Sequence, residues 1–339
     1  LTKHKELGVK ALQAEDEIAG ICSAIGASYT GSLAITTTSG PGLSLKSEAI
    51  GLAVMTELPI VIVDVQRGGP STGLPTKSEQ SDLMQALFGR NGDCPAIVIA
   101  AKSPTDCFYA AYKASKISME HMTPVILLTD GSLANGSEIF KIPSVSDMEK
   151  IEPPLAKAND KKFKPYRRDE EKLRRQWAIP GTEGLRHRVG GLEKDSVNGN
   201  VSHDPVNHQL MTDLRARKVE KVADYLPEQE VIGNESGELL VVSWGGTYGV
   251  MLTAVEEMLK EEKNIGFAHF SHINPLPRNT EDIFKRFDKI LVCELNNGQF
   301  INWLKMNFPH NNYFGFNKVQ GLPFMVSELK RRFNELLSK

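Results

Sequence analysis

Residues 59–70 read Pro59-Ile60-Val61-Ile62-Val63-Asp64-Val65-Gln66-Arg67-Gly68-Gly69-Pro70. The stretch 59–65 runs as a continuous apolar strand, and at 60–63 no polar residue alternates with the apolar ones. A strand with one wet face alternates; a strand covered on both faces does not, and that is the habit of parallel sheets flanked by helices. Similar runs recur at 33–38, 96–100 and 124–129, and a short strand is expected at 9–13. Helical spacing lies between them, at 18–29, 48–57 and 80–88. A further helix starts at Ser103-Pro104-Thr105-Asp106, with a cap, a proline in first position and an acid in third. Repeated β-α-β units predict a doubly wound parallel sheet with right-handed crossovers over residues 1–143.

Residues 144–233 change character. Lysine, arginine and acids dominate, and apolar periodicity is weak. A loop this long is out of place inside a compact domain, so the segment reads as a charged linker or docking arm lying over a partner's surface. One exposed helix is expected at 212–223. The run Lys161-Lys162-Phe163-Lys164-Pro165-Tyr166-Arg167-Arg168 is followed at once by Asp169-Glu170-Glu171, which reads as a solvated mixed-sign stretch and not a nucleic-acid site. Alternation resumes over 234–339, with strands at 239–243, 266–269 and 289–294 and helices at 248–260, 280–287, 298–306 and 325–337. This is a second, smaller α/β domain.

The chain has 339 residues, 40 basic and 42 acidic, for a net charge of −2. That balance gives no basic excess for nucleic acid. No apolar run approaches the roughly 18 residues of a membrane span. The four cysteines, Cys22, Cys94, Cys107 and Cys293, are scattered, and no C-x-x-C pair exists to hold a cluster or zinc within this chain. The eight histidines lack metal-ligand spacing. No signal peptide is evident, so a reducing cytoplasmic setting is expected. Leu1 is not methionine, and residues 1–5 read as the tail of a helix, so the chain is expected to begin inside a domain.

Ligands of open α/β sheets bind outside the carboxyl ends of the strands, and three motifs are expected there. Gln13-Ala14-Glu15-Asp16-Glu17 places Glu15 at a helix start, where a carboxylate also suits the helix dipole. Thr38-Ser39-Gly40-Pro41-Gly42 lets backbone amides approach a ligand or makes an ordinary tight turn. Leu45 precedes Lys46, so the glycine a P-loop lysine needs before it is missing. Arg67 can grip a carboxylate through two parallel hydrogen bonds. Gly69-Pro70-Ser71-Thr72-Gly73 formally matches a nucleophile elbow, but Ser71 lies past the strand end and leads into Gly73 and Pro75 instead of a helix. Trp244-Gly245-Gly246-Thr247-Tyr248-Gly249 reads as a tight strand-to-helix turn.

Taken together and in this order, these motifs resemble the α subunits of 2-oxoacid:ferredoxin oxidoreductases, most closely the 2-oxoglutarate type. The resemblance is carried by Gln13-Ala14-Glu15, Thr38-Ser39-Gly40-Pro41-Gly42-Leu43, residues 66–76 (Gln66-Arg67-Gly68-Gly69-Pro70-Ser71-Thr72-Gly73-Leu74-Pro75-Thr76) and Glu79-Gln80-Ser81-Asp82-Leu83. Ser243-Trp244-Gly245-Gly246-Thr247, Asn274-Pro275-Leu276-Pro277 and Glu294-Leu295-Asn296-Asn297-Gly298-Gln299 extend it.

The resemblance implies an α/β fold of two parts. The first is a thiamine-diphosphate pyrimidine-binding domain, incomplete at its N-terminus and therefore completed by a dimer mate or left with an exposed sheet edge. The second is a smaller transketolase C-terminal-like domain. It further implies oxidative decarboxylation of 2-oxoglutarate to succinyl-CoA, with electrons passing to ferredoxin. Pyruvate or a branched-chain 2-oxoacid is the alternative substrate, and a non-catalytic α/β protein of the same fold the alternative class. Glu15 would be the catalytic residue: hydrogen-bonded to the pyrimidine nitrogen, it favours the imino tautomer that removes the thiazolium proton. Such a glutamate is expected to be partly desolvated. Thr38, Ser39 and Gly40 would join Glu15 in binding the cofactor, and Arg67 would hold the substrate carboxylate. The family's Tyr-Pro-x-Thr-Pro motif and the diphosphate-binding G-D-G…N motif are absent. Mg2+, the diphosphate end of the cofactor and a [4Fe-4S] cluster would therefore sit on a β subunit, in a dimer of heteromers, with a γ-type domain fused or separate and no catalysis by this chain alone.

Overall fold

The computed structural model describes residues 5–338. The helix tail expected over residues 1–5 lies outside these except for Lys5, which opens a 3-10 turn ending at Leu7. No strand forms at 9–13; those residues are irregular.

Two five-stranded sheets organise the chain. The first part contains α1 (Glu17–Tyr29), β1 (Ile35–Thr38), α2 (Gly40–Leu45), α3 (Ser47–Thr56), β2 (Ile60–Gln66), α4 (Leu83–Phe88), β3 (Ile97–Ala100), α5 (Pro104–His121), β4 (Pro124–Asp130) and α6 (Gly131–Asn135). The rest contains α7 (Pro205–Lys221), β5 (Ile232–Gly233), β6 (Gly237–Trp244), α8 (Tyr248–Lys260), β7 (Ile265–Phe270), β8 (His272–Asn274), α9 (Thr280–Phe284), β9 (Phe287–Glu294), α10 (Gln299–Asn307), β10 (Tyr313–Asn317) and α11 (Val326–Leu337). The sheet orders are β1-β2-β4-β3-β8 and β10-β9-β6-β7-β5. In the first, β1, β2, β4 and β3 are parallel, as the unbroken apolar runs require. Ile60, Val61 and Ile62 are all 0% exposed.

The β3 edge of the first sheet is covered by this chain itself. The short strand β8, from the C-terminal part of the same chain, pairs antiparallel with β3 through Val98 with Asn274 and Ile99 with His272. Asn274 Nδ2 adds a hydrogen bond to the Ala96 carbonyl at 2.7 Å. A single apolar cluster then runs from Ile21, Ile62 and Ile126 to Val242, Phe270 and Leu304, so the two sheets share one core.

The charged middle segment is not a solvated arm. Residues 144–203 carry almost no regular structure, yet Tyr166, Arg175, Trp177 and Lys194 are buried. Trp177 packs on Met119 and Met122. The helix expected to be exposed at 212–223 begins earlier, at Pro205, and buries Met211, Arg215, Lys218 and Val219. Arg168 from the supposedly solvated run and Lys218 of α7 both bind the fully buried carboxylate of Glu57. Charge pairing replaces apolar periodicity here, which is why the sequence pattern looked like solvent. Glu57 occupies a left-handed C-cap position (φ 51°) where glycine is the usual residue. Its carboxyl is held at about 2, against the penalty of burial, by Arg168, Lys218 and Arg175. Lys218 is instead lowered to about 8, because burial and two neighbouring guanidiniums outweigh its share of that one carboxylate.

Candidate functional site

The first candidate motif leads into the start of α1, and the second and third follow the carboxyl ends of β1 and β2. Asp16 caps α1, accepting the Ala19 N–H at 2.7 Å, so the chain turns sharply at residues 15–17. That turn is tied to the second motif. Lys46, buried at the end of α2, donates from Nζ to the Glu17 carbonyl at 2.8 Å. Beside it, a β-carbon at Gly42 would overlap Thr38 Oγ1 and the Glu17 side chain. Gly42 is therefore there for close approach of the two turns.

Ser39 and Pro41 start α2: Ser39 is its N-cap, with a side chain free of any capping bond, and Pro41 lies in the first turn. Thr38 and Ser39 are half-buried and Gly40 is buried. The motif is thus a strand end running straight into a short helix. Glu15 is exposed, so the desolvation expected of it is not supplied by this chain. Leu12 and Ile18, close to it in sequence, are exposed apolar residues, with Leu12 at 74%. The polar groups these two turns present are the exposed Glu15 carboxyl and the half-buried hydroxyls of Thr38 and Ser39, beside a helix start that is buried at Gly40. An exposed carboxyl such as that of Glu15 can hold a proton at a ligand atom, whereas Gly40 and Gly42 are packed against Asp82 and against Thr38 and Glu17. The residues fit the pyrimidine half of thiamine diphosphate.

Arg67 follows β2 directly and is half-buried. Its Nε is buried without an acceptor. The loop after it is closed by a Gly68–Leu74 bridge, with the Leu74 N–H donating to the Gly68 carbonyl at 2.8 Å. Ser71 sits exposed in that loop with φ 55° and no helix behind it, so it has none of the support of a nucleophile elbow.

The glycine motif of the second sheet does different work from a ligand loop. Gly246 presses on Asp130, whose carboxylate a β-carbon there would overlap. Gln80 Nε2 donates to the Trp244 carbonyl at 2.6 Å. The Leu295 N–H donates to Gln80 Oε1 at 2.9 Å, and Asn296 Nδ2 to the Gln80 carbonyl at 2.7 Å. Gln299 Nε2 donates to the Ser81 carbonyl at 2.7 Å. Residues 243–247 and 294–299 therefore latch residues 79–84 in place. A crevice of about 560 Å³ opens where the strand ends of the two sheets meet, lined in part by Thr76, Lys77, Ser132, Thr247 and Phe324. Among the described residues, no three His, Cys, Asp or Glu side chains gather as a metal site, and no helix is long and apolar enough to cross a membrane.

One buried pair beside these motifs escaped the sequence reading. Asp64, inside the strand quoted first, is fully buried beside Asp82, and Asp82 lies over Gly40 so closely that a β-carbon at Gly40 would overlap its carboxylate. Its only sequence signal was a lone acid in an apolar run.

A family model described as pyruvate flavodoxin/ferredoxin oxidoreductase, thiamine diphosphate-binding, matches residues 2–203. The chain is 48% identical over 332 residues to the 2-oxoglutarate oxidoreductase subunit KorA of Mycobacterium tuberculosis, covering 98% of this chain and 50% of that one. It is 33% identical over 294 residues to the 2-oxoglutarate synthase subunit KorA of Archaeoglobus fulgidus, covering 86% and 76%. Among solved structures, the 2-oxoglutarate:ferredoxin oxidoreductase of Magnetococcus marinus, with 2-oxoglutarate, coenzyme A and succinyl-CoA bound, superposes with a TM-score of 0.92 at 35% identity, over 99% of this chain and 59% of that one. A split-gene transketolase shares the fold at a TM-score of 0.51 and 11% identity. The chain spans about half the length of several of the curated relatives it matches.

Proposed function

The chain belongs to the pyruvate flavodoxin/ferredoxin oxidoreductase family, and from that membership we propose that it is part of the α subunit of a 2-oxoglutarate:ferredoxin oxidoreductase. The proposed reaction is oxidative decarboxylation of 2-oxoglutarate to succinyl-CoA, with the electrons leaving to ferredoxin. When bound, thiamine diphosphate supplies the carbon nucleophile and electron sink for that chemistry. Glu15 holds a proton at the pyrimidine nitrogen. Thr38, Ser39 and Gly40 form the wall against which the pyrimidine rests. Arg67 receives a carboxylate of the 2-oxoacid in a two-pronged grip.

The exposure of Glu15 supports a shared site. A carboxyl that must exchange a proton with a ring in a dry pocket needs a second surface to exclude water. The proposed second surface is a β subunit that carries the diphosphate end of the cofactor, its Mg2+ and a [4Fe-4S] cluster, in a cytoplasmic dimer of heteromers. A γ-type domain completes the assembly.

The observation that carries the substrate is the 99% coverage of this chain by the structure whose described ligands are 2-oxoglutarate, coenzyme A and succinyl-CoA. The test is reconstitution of the full-length α chain with its β partner, thiamine diphosphate and Mg2+. Succinyl-CoA formation from 2-oxoglutarate is expected. A verified holo-complex that turns over pyruvate but not 2-oxoglutarate overturns the substrate.

A further inference from the structure

Asp64 lies in β2 with 0% exposure, opposite Thr38 of β1 and Leu128 of β4 in the strand register. Neither of its carboxylate oxygens has a donor. Its polar neighbour is the carboxyl of Asp82, the N-cap residue of α4, whose Oδ2 is also buried without a donor. Ionised carboxylates only accept hydrogen bonds, and two in contact in a dry space repel. A single proton relieves the contact: it turns one acid into a donor and leaves the other as its acceptor, so that one orphaned oxygen of each carboxyl is paired.

We propose that Asp64 keeps its proton at neutral pH and donates it in a hydrogen bond to Asp82, and that this pair positions Arg67 and the Gly40 turn. The positioning half rests on the function proposed above. Burial and the neighbouring Asp82 raise the Asp64 carboxyl well above the usual range. Burial also pushes Asp82 up to about 6, while the Asp64 hydrogen bond and the Arg67 guanidinium pull it down and Glu79 pushes it up. Those are the charged groups on the pair; β1, β4 and α2 face it with Thr38, Leu128 and Gly40.

The segment around Asp82 is stitched to both sides of the candidate site. The Asp82 N–H donates to Gln66 Oε1 at 3.2 Å, and Ser81 Oγ donates to the Arg67 carbonyl at 3.5 Å. On its other side the Asp82 carboxylate covers Gly40. The Asp82 charge attracts Arg67 without occupying its buried Nε. The guanidinium is held near the site with donors left over for a ligand. Asp64 and Asp82 are positioning residues, acting through Arg67 and Gly40.

The proton is tested by infrared spectroscopy of the full-length chain, which needs no catalysis. Surface carboxyls are ionised by about pH 6, so a protonated-carboxyl C=O band at pH 7 reports a buried acid. Glu294 is a second buried acid with a raised pKa, and the assignment is therefore made by substitution. Asp64→Asn, whose amide still donates to Asp82, is expected to remove one such band, and Asp82→Asn to shift it. A spectrum at pH 7 that neither substitution alters overturns the shared proton. Positioning is tested in the reconstituted complex: Asp82→Asn is expected to raise the KM for the 2-oxoacid about tenfold with kcat nearly unchanged. An unchanged KM overturns it, whichever 2-oxoacid the complex uses.

Discussion

Gln80 and Trp244 stand 164 residues apart in sequence and meet at 2.6 Å, the Gln80 side-chain amide donating to the Trp244 carbonyl. The same side chain accepts the Leu295 N–H, and all three residues are buried. The loop that leads into α4 is thus held by the second sheet, and with it Asp82 and Gly40. Replacing Gln80 by alanine leaves a buried carbonyl and a buried amide unpaired, each costing about 1–3 kcal/mol. Gln80→Ala is therefore expected to lower the free energy of unfolding by roughly 2–6 kcal/mol. Chemical denaturation checks this; a loss below about 0.5 kcal/mol, the ordinary range of a surface change, would show that the latch is not structural.

Glu15 makes the opposite prediction. It is exposed and outside the core, so Glu15→Gln is expected to change stability by no more than about 0.5 kcal/mol. Glutamine has the length of glutamate but cannot pass a proton. The reconstituted complex is expected to assemble, bind cofactor and lose hydrogen exchange at the thiazolium C2. Exchange at the parental rate would remove Glu15 from its role.

For Arg67 the expected loss is in binding. Removing one partner of a desolvated charge pair costs roughly 2–5 kcal/mol, so Arg67→Ala is expected to weaken 2-oxoacid binding by that amount. Arg67→Lys keeps the charge without the two-pronged geometry and is expected to fall between. Equilibrium titration of the 2-oxoacid measures both, and equal affinities for Arg67→Ala and the parent exclude the contact.

The sequence was most legible where packing and periodicity agree. The strand at 59–65 emerged as β2, and the helix expected at 248–260 is α8, Tyr248–Lys260. Glu15, Thr38, Ser39, Gly40 and Arg67 could be picked out as candidates because their motifs stand at a helix start or a strand end: Glu15 just before α1, Thr38–Gly40 and Arg67 at the ends of β1 and β2. Legibility failed where long-range partners decide structure. The three-residue strand β8 exists because β3 offers it an edge. Arg168 is buried because Glu57 is 111 residues away in sequence but next to it in space. The burial of Asp64 against Asp82 was invisible because Asp82 arrives from a loop after the next glycine-rich motif. No local pattern records such pairings.

The Glu57 cluster yields a pH prediction. Its carboxyl is held at about 2 in the fold, below the ordinary 4.5. A depressed carboxyl pKa contributes stability that is present above the unfolded-state value and lost as pH falls through the folded one. Glu120, bound by Lys116 and Lys172 and also held at about 2, adds to the same window. Both acids clamp the middle segment to the first sheet's helices, through Arg168 and Lys172. Acidification from about pH 4.5 toward pH 2 is therefore expected to release residues 144–203 before the second sheet loosens. Glu57→Gln strands three buried cations and is expected to cost roughly 3–5 kcal/mol, with the segment already loosened at pH 7. Hydrogen exchange read by mass spectrometry separates the outcomes. Early exchange at 164–178, around buried Tyr166, Arg175 and Trp177, supports the clamp, and simultaneous exchange across 164–178 and β6 would mean that the acids stabilise the whole molecule evenly.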